Sequence, residues 1–167
     1  MLARGLRKVG FATLLIDLLI EDDLGVELHT RGLRDDVAVL TGRLVEAVDC
    51  LNSELATAEL PVGLLGLGSG AAPALSAAVQ RPDRVAGVVA CDGRPDLVAD
   101  PLSGLPVPVL LIGGEGTPGA AMNERAAQRL PAPALARVCG ASKLYLEREG
   151  REDVMCLATD WFRRCLG

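Results

Sequence analysis

Aromatic side chains are nearly missing from this chain: Phe11, Tyr145, Trp161 and Phe162 are the whole set in 167 residues. Four rings do not make the stacking platform on which single-stranded nucleic acid is bound. Basic charge is also short, with 17 Lys and Arg against 22 Asp and Glu and a formal net charge of -5. No basic stripe is visible, so a nucleic-acid partner is not expected. The five cysteines (Cys50, Cys91, Cys139, Cys156 and Cys165) include no C-x-x-C pair, so neither a zinc site nor a disulfide framework is expected. They read as reduced, mostly buried thiols. No apolar run is long enough to cross a bilayer. The N-terminal run Phe11–Ile20 is broken by Asp17, and no small-residue cleavage site follows it, so it does not read as a signal peptide. These absences predict a cytoplasmic protein with no membrane partner, no metal and no cofactor.

What is present is a chain of 50% hydrophobic residues with 19 glycines, a composition suited to an α/β domain of Val/Leu strands and Ala-rich helices. The length fits one domain spanning residues 1–167. A helix over Leu2–Lys8 is predicted to stop at Gly10. The apolar run Phe11–Leu19 then reads as a buried parallel strand. Apolar spacing over Asp35–Leu51 predicts a helix. Strands are expected at Val62–Leu67, Val85–Ala90, Val107–Ile112 and Leu135–Cys139, with helices at Ala71–Gln80, Ala120–Leu130 and Arg151–Cys165. Strand–helix alternation at this spacing implies right-handed crossovers. The expected fold class is α/β: a three-layer sandwich with a mainly parallel sheet of about five strands and helices on both faces.

The segment Val62-Gly-Leu-Leu-Gly-Leu-Gly-Ser-Gly-Ala-Ala72 is the most informative. A strand running through a glycine turn into a helix aims several backbone N–H groups at one point. Gly66, Gly68 and Ala71 fit the G-x-G-x-x-A dinucleotide fingerprint, with Asp92 placed where a ribose-binding acid would sit. Gly66-Leu-Gly-Ser-Gly70 also fits a nucleophile elbow, G-x-S-x-G, with glycine at the central position. Together with Arg81-Pro-Asp-Arg-Val85, Gly93-Arg-Pro-Asp-Leu97, Pro108-Val-Leu-Leu-Ile-Gly-Gly114 and Ala12-Thr-Leu-Leu-Ile-Asp-Leu-Leu19, it resembles the dienelactone-hydrolase-like branch of the α/β-hydrolases. The segments come in family order over nearly the whole chain.

In that family a serine attacks an acyl carbonyl, a histidine takes its proton and an aspartate orients the histidine. The resemblance puts Gly68 at the serine position, Gly116 at the acid and Lys143 at the histidine. It therefore implies a degenerate triad and a partial α/β-hydrolase fold. Ser69 lies one residue past the elbow, Glu115 neighbours the acid position, and His29, the single histidine, reads as a solvated loop residue. The resemblance also implies further family strands upstream, one of them between the Phe11–Leu19 strand and the Val62–Leu67 strand. That gap predicts a homodimer or a protein partner across the open sheet edge near Phe11–Leu19.

Three functions compete on these residues. The first is a non-hydrolytic pseudoenzyme acting as scaffold, subunit or small-molecule binder, not a serine hydrolase. The second is a repurposed enzyme catalysing a cyclisation or isomerisation among Cys91, Asp92, Glu115, Ser142 and Lys143, all at C-terminal strand ends where α/β sheets bind ligands. The third is dinucleotide binding at the Gly66–Gly70 turn. The candidate ligand-binding set is Gly66, Gly68, Ser69, Gly70, Cys91, Asp92 and Lys143.

Overall fold

The computed structural model describes residues 2–20, 23, 36–99, 102–138 and 148–167. Helix α1 is Leu2–Lys8 and α2 is Val37–Ser53, followed by strand β1 (Val62–Leu67), α3 (Ala71–Gln80) and β2 (Val85–Cys91). Then come β3 (Val109–Gly114), α4 (Pro118–Ala127), β4 (Pro133–Val138) and α5 (Arg148–Leu166). The four strands form one parallel sheet in the order β1-β2-β3-β4.

Alternation along the central strands divides the interior into two cores, because successive side chains point to opposite faces. Val88, Ala90, Val109 and Leu111 face the α2–α3 side, where Val48, Leu75 and Ala78 meet them. Val89, Cys91, Leu110 and Ile112 face Leu6 of α1 and Val154, Ala158 and Phe162 of α5. Helix α3 buries eight consecutive residues, Ala71–Ala78; its run of alanines lets the helix lie close to the strands. On the other face, Gly63 and Gly87 are register partners. A Cβ at Gly63 would come within 2.6 Å of the Phe162 ring, and one at Gly87 within 2.8 Å of the Cys165 Cβ. The two glycines are a flat shelf on which α5 rests.

The edge beyond β1 departs from expectation. Phe11–Leu19 is not a strand of the sheet; among the described residues the sheet has four strands, and β1 pairs only with β2. Leu14 is 58% exposed and Leu15 86%. The segment is instead pinned near its ends. Phe11 N–H donates to Leu6 O at 3.1 Å, and the Phe11 ring meets Phe162 edge-on with centroids 6.3 Å apart. Further along, Arg43 of α2 donates to Leu18 O at 2.6 Å and forms a bidentate pair with Asp23. An apolar run reports a preference for burial, but a strand also needs a neighbour for its backbone. The described residues offer this one none.

Candidate functional site

Among the described residues, the glycine turn, Cys91, Asp92, Glu115 and Gly116 singled out in the sequence lie where β1, β2 and β3 end. Strand β1 runs into a single 3-10 turn, Gly68–Gly70, and directly into α3. Gly68 has φ +55, the left-handed conformation that favours a residue without Cβ. The turn is tight enough that a Cβ on Gly66 would lie 2.3 Å from Gly70 O. The Asp92-Gly93 turn after β2 presses against it, since a Cβ on Gly93 would lie 2.2 Å from Gly68 O and 2.4 Å from the Ala71 Cβ. Gly70 is different, because nothing lies within 4 Å of a Cβ placed there.

Asp92 is half-buried and has φ +50, the one non-glycine residue with positive φ among those described. Its amide donates to Ile112 O at 3.0 Å, and its Oδ1 lies 3.0 Å from a Cβ built on Gly119. The carboxyl therefore stands between the glycine turn and the start of α4. That helix opens with Thr117, whose Oγ1 accepts from Ala120 N–H at 3.3 Å and donates to Gly114 O at 2.7 Å, a side-chain N-cap.

Cys91, next to Asp92, is buried, and burial first and the Asp92 charge second push its thiol up to about 12. A thiol so raised is neutral at physiological pH and a poor nucleophile. Ser69 is exposed. Glu115 and Gly116 are both exposed in the β3–α4 turn, where Gly116 has φ +72. The glycine turn, Asp92, Glu115 and Gly116 thus share one end of the sheet. Lys143, Ser142 and His29 lie outside the described residues.

One polar group was missed. Asn123 of α4 is 3% exposed, its Nδ2 lies 2.9 Å from a Cβ built on Gly113, and its Oδ1 has no hydrogen-bond partner among the described residues. An asparagine in an otherwise Ala- and charge-rich helix reads as a surface residue, so the sequence carried no signal for it. Among the described residues no group of three or more His, Cys, Asp or Glu is placed to hold a metal ion. No described helix is long and apolar enough to cross a membrane.

This geometry has a close counterpart. A dienelactone hydrolase from Anabaena variabilis is 40% identical and superposes with a TM-score of 0.93, over 99% of this chain and 78% of that one. The chain belongs to the α/β-hydrolase superfamily. A metagenomic α/β-hydrolase from lagoon sediments shares the fold at 19% identity, with a TM-score of 0.59 over 77% of this chain and 70% of its own. Among curated proteins, a provisionally named phosphoribosyl transferase of Mycobacterium tuberculosis is 40% identical over 162 residues. Those residues are 96% of this chain and only 36% of that protein, so the chain spans about a third of its curated relative's length. No family model matches the sequence.

The Gly66–Gly70 turn joins β1 to α3 at the strand ends of this fold. Asp92 directly follows the strand beside it, where a ribose-binding acid would stand, and the solved structure that matches at 40% identity is a dienelactone hydrolase.

Proposed function

We propose that this chain is a non-hydrolytic member of the superfamily, a pseudoenzyme that works as an interaction subunit and not as a serine hydrolase. The observation that carries this reading is Gly68. It occupies the strand-to-helix turn with φ +55, the position and strained conformation of an elbow nucleophile, and it has no side chain to attack with. The family resemblance puts Gly68, Gly116 and Lys143 at the three triad positions, none of them a serine, acid or histidine. Neither nearby group restores the chemistry: the Cys91 thiol is buried and neutral, and Ser69 stands one residue past the Gly68 position within the turn. When several members of a triad are lost together, the route they shared is lost.

A second reading is a non-hydrolytic reaction, such as a cyclisation or isomerisation, in the same strand-end cleft. Asp92 favours it, because a half-buried carboxylate in left-handed backbone is the kind of local strain that gathers at reactive sites. We assign no phosphoribosyl transfer to residues 1–167, since the matched part is about a third of the relative that carries the name.

Turnover of p-nitrophenyl acetate tests the first reading. The protein and its Gly68→Ser variant are both expected to match the buffer rate, since a serine alone has no base to take its proton. Saturable turnover by the unmodified protein would overturn the reading. Native mass spectrometry of gently purified protein separates the two readings: a retained small molecule favours the repurposed enzyme, and its absence the interaction subunit.

A further inference from the structure

Asn123 is a buried carboxamide that the fold leaves idle. It is 3% exposed, and its Oδ1 has no hydrogen-bond partner among the described residues. A polar atom buried in that way costs stability, and most buried side-chain polar atoms are paired for that reason. Asn123 packs over Gly113 of β3, where a Cβ would lie 2.9 Å from its Nδ2. Gly113 and Asp92 directly follow Ile112 and Cys91, which are register partners, and the Asp92 amide donates to Ile112 O. The two residues therefore stand side by side at the strand ends. Helix α4 meets both of them. Asp92 Oδ1 lies 3.0 Å from a Cβ placed on Gly119, and Gly119 and Asn123 are four residues apart on that helix. Residues at that spacing share a helix face, with side-chain positions about 5–6 Å apart. The Asp92 carboxyl and the Asn123 carboxamide thus border one stripe of α4, one turn apart.

The charges around this stripe limit what can bind there. The Asp92 charge repels an anion. The first turn of α4 carries the positive end of the helix dipole and works against a cation, and any ion beside buried Asn123 would lose its hydration. A hydroxyl group meets neither objection: it donates to a carboxylate, and with a carboxamide it can both donate and accept. Two hydroxyls on adjacent carbons, each at ~2.7–2.8 Å from its acceptor, reach across one helical turn. We propose that Asp92 and Asn123 form a subsite for a neutral ligand with adjacent hydroxyl groups, Asp92 accepting from one and Asn123 Oδ1 from the other. The place of Asp92 in the sequence, that of a ribose-binding acid, agrees with this chemistry. The inference requires a bound ligand and no conversion of it, so it goes beyond both functional readings and depends on neither.

Side-chain amide NMR of the nitrogen-15-labelled full chain tests it. Asn52, Gln80, Asn123 and Gln128 are the only carboxamides in the sequence, and the pair of signals lost in Asn123→Leu assigns Asn123. Erythritol is expected to shift that pair and the Asp92 backbone amide saturably at ~millimolar concentration, an ordinary affinity for so small a ligand. Butane-1,4-diol, which has no adjacent hydroxyls, acetate and methylammonium are expected to shift neither. Asn123→Leu should abolish the Asp92 response and raise Tm by about 2–10 °C, because an unpartnered polar group leaves the interior. Asp92→Asn, which keeps a residue tolerant of positive φ, should weaken erythritol binding ~10-fold through loss of the charged acceptor. No response at ~100 mM erythritol, far above that affinity range, would overturn the proposal. So would an equal response to butane-1,4-diol, a response to acetate or methylammonium in its place, or unchanged binding in Asp92→Asn. A lower Tm in Asn123→Leu would also overturn it, since the carboxamide would then serve the fold. Saturable ester turnover would end the pseudoenzyme reading and leave this subsite standing.

Discussion

At Gly66 and Gly93 a single methyl group has nowhere to go, because each would press on a backbone carbonyl of the glycine turn at 2.2–2.3 Å. Backbone cannot rotate aside as a side chain can, so Gly66→Ala and Gly93→Ala are expected to destabilise by about 1–3 kcal/mol or more, as overpacking does. Gly70→Ala, with open space around its Cβ, is expected to cost less than about 1 kcal/mol, the range of a helix N-cap change from glycine. Urea denaturation of the three variants measures this. Equal losses at Gly66 and Gly70 would mean that helix initiation, not close approach, constrains the turn. The sequence made the cluster legible as a tight strand-to-helix turn, because closely spaced glycines there let the backbone reverse direction sharply. Which of them is sterically required depends on Gly93, a residue from another turn, and no local reading reaches it. The same holds for Cys91: its sequence neighbour Asp92 was visible, but the larger influence on its thiol is burial under α1 and α5.

At the scale of elements, the helices and the β1, β2, β3 and β4 strands were legible to within a few residues, since each carries its own periodicity and glycine boundaries. Helix α5 extends three residues earlier than its Arg151 start and ends one residue after Cys165, the usual uncertainty of a helix boundary. Phe11–Leu19 failed for a non-local reason: its composition suits a strand, but strand formation needs a neighbouring edge, and pairing is not written in the segment itself. What does hold this region is Phe162, which is 4% exposed and lies at once over Gly63 and against Phe11. Phe162→Ala should therefore cost about 3–5 kcal/mol, the range for emptying a buried aromatic site. It should also raise exchange at the Phe11 amide, which donates to Leu6 O, more than at β3. A loss below ~1 kcal/mol, typical of a surface change, would mean that α5 does not clamp the N-terminal segment to the sheet.

For the whole molecule, the two cores sit on opposite faces of a parallel sheet, and the strand ends carry Asp92 and Glu115 around the glycine turn. The fold class was legible because alternation and glycine punctuation are repeated four times along the chain. The proposed function was less so, because it rests on the side chain that Gly68 lacks and on how several turns meet at the strand ends, and neither is a property of one segment. The central claim, that the elbow of this hydrolase fold cannot attack, is tested most directly by incubating the protein with a fluorophosphonate probe and reading its intact mass. Fluorophosphonates report activated serines, and none is expected at Gly68. The account predicts an unchanged mass. A single stoichiometric adduct would contradict it, and the modified residue would identify the nucleophile that the account denies.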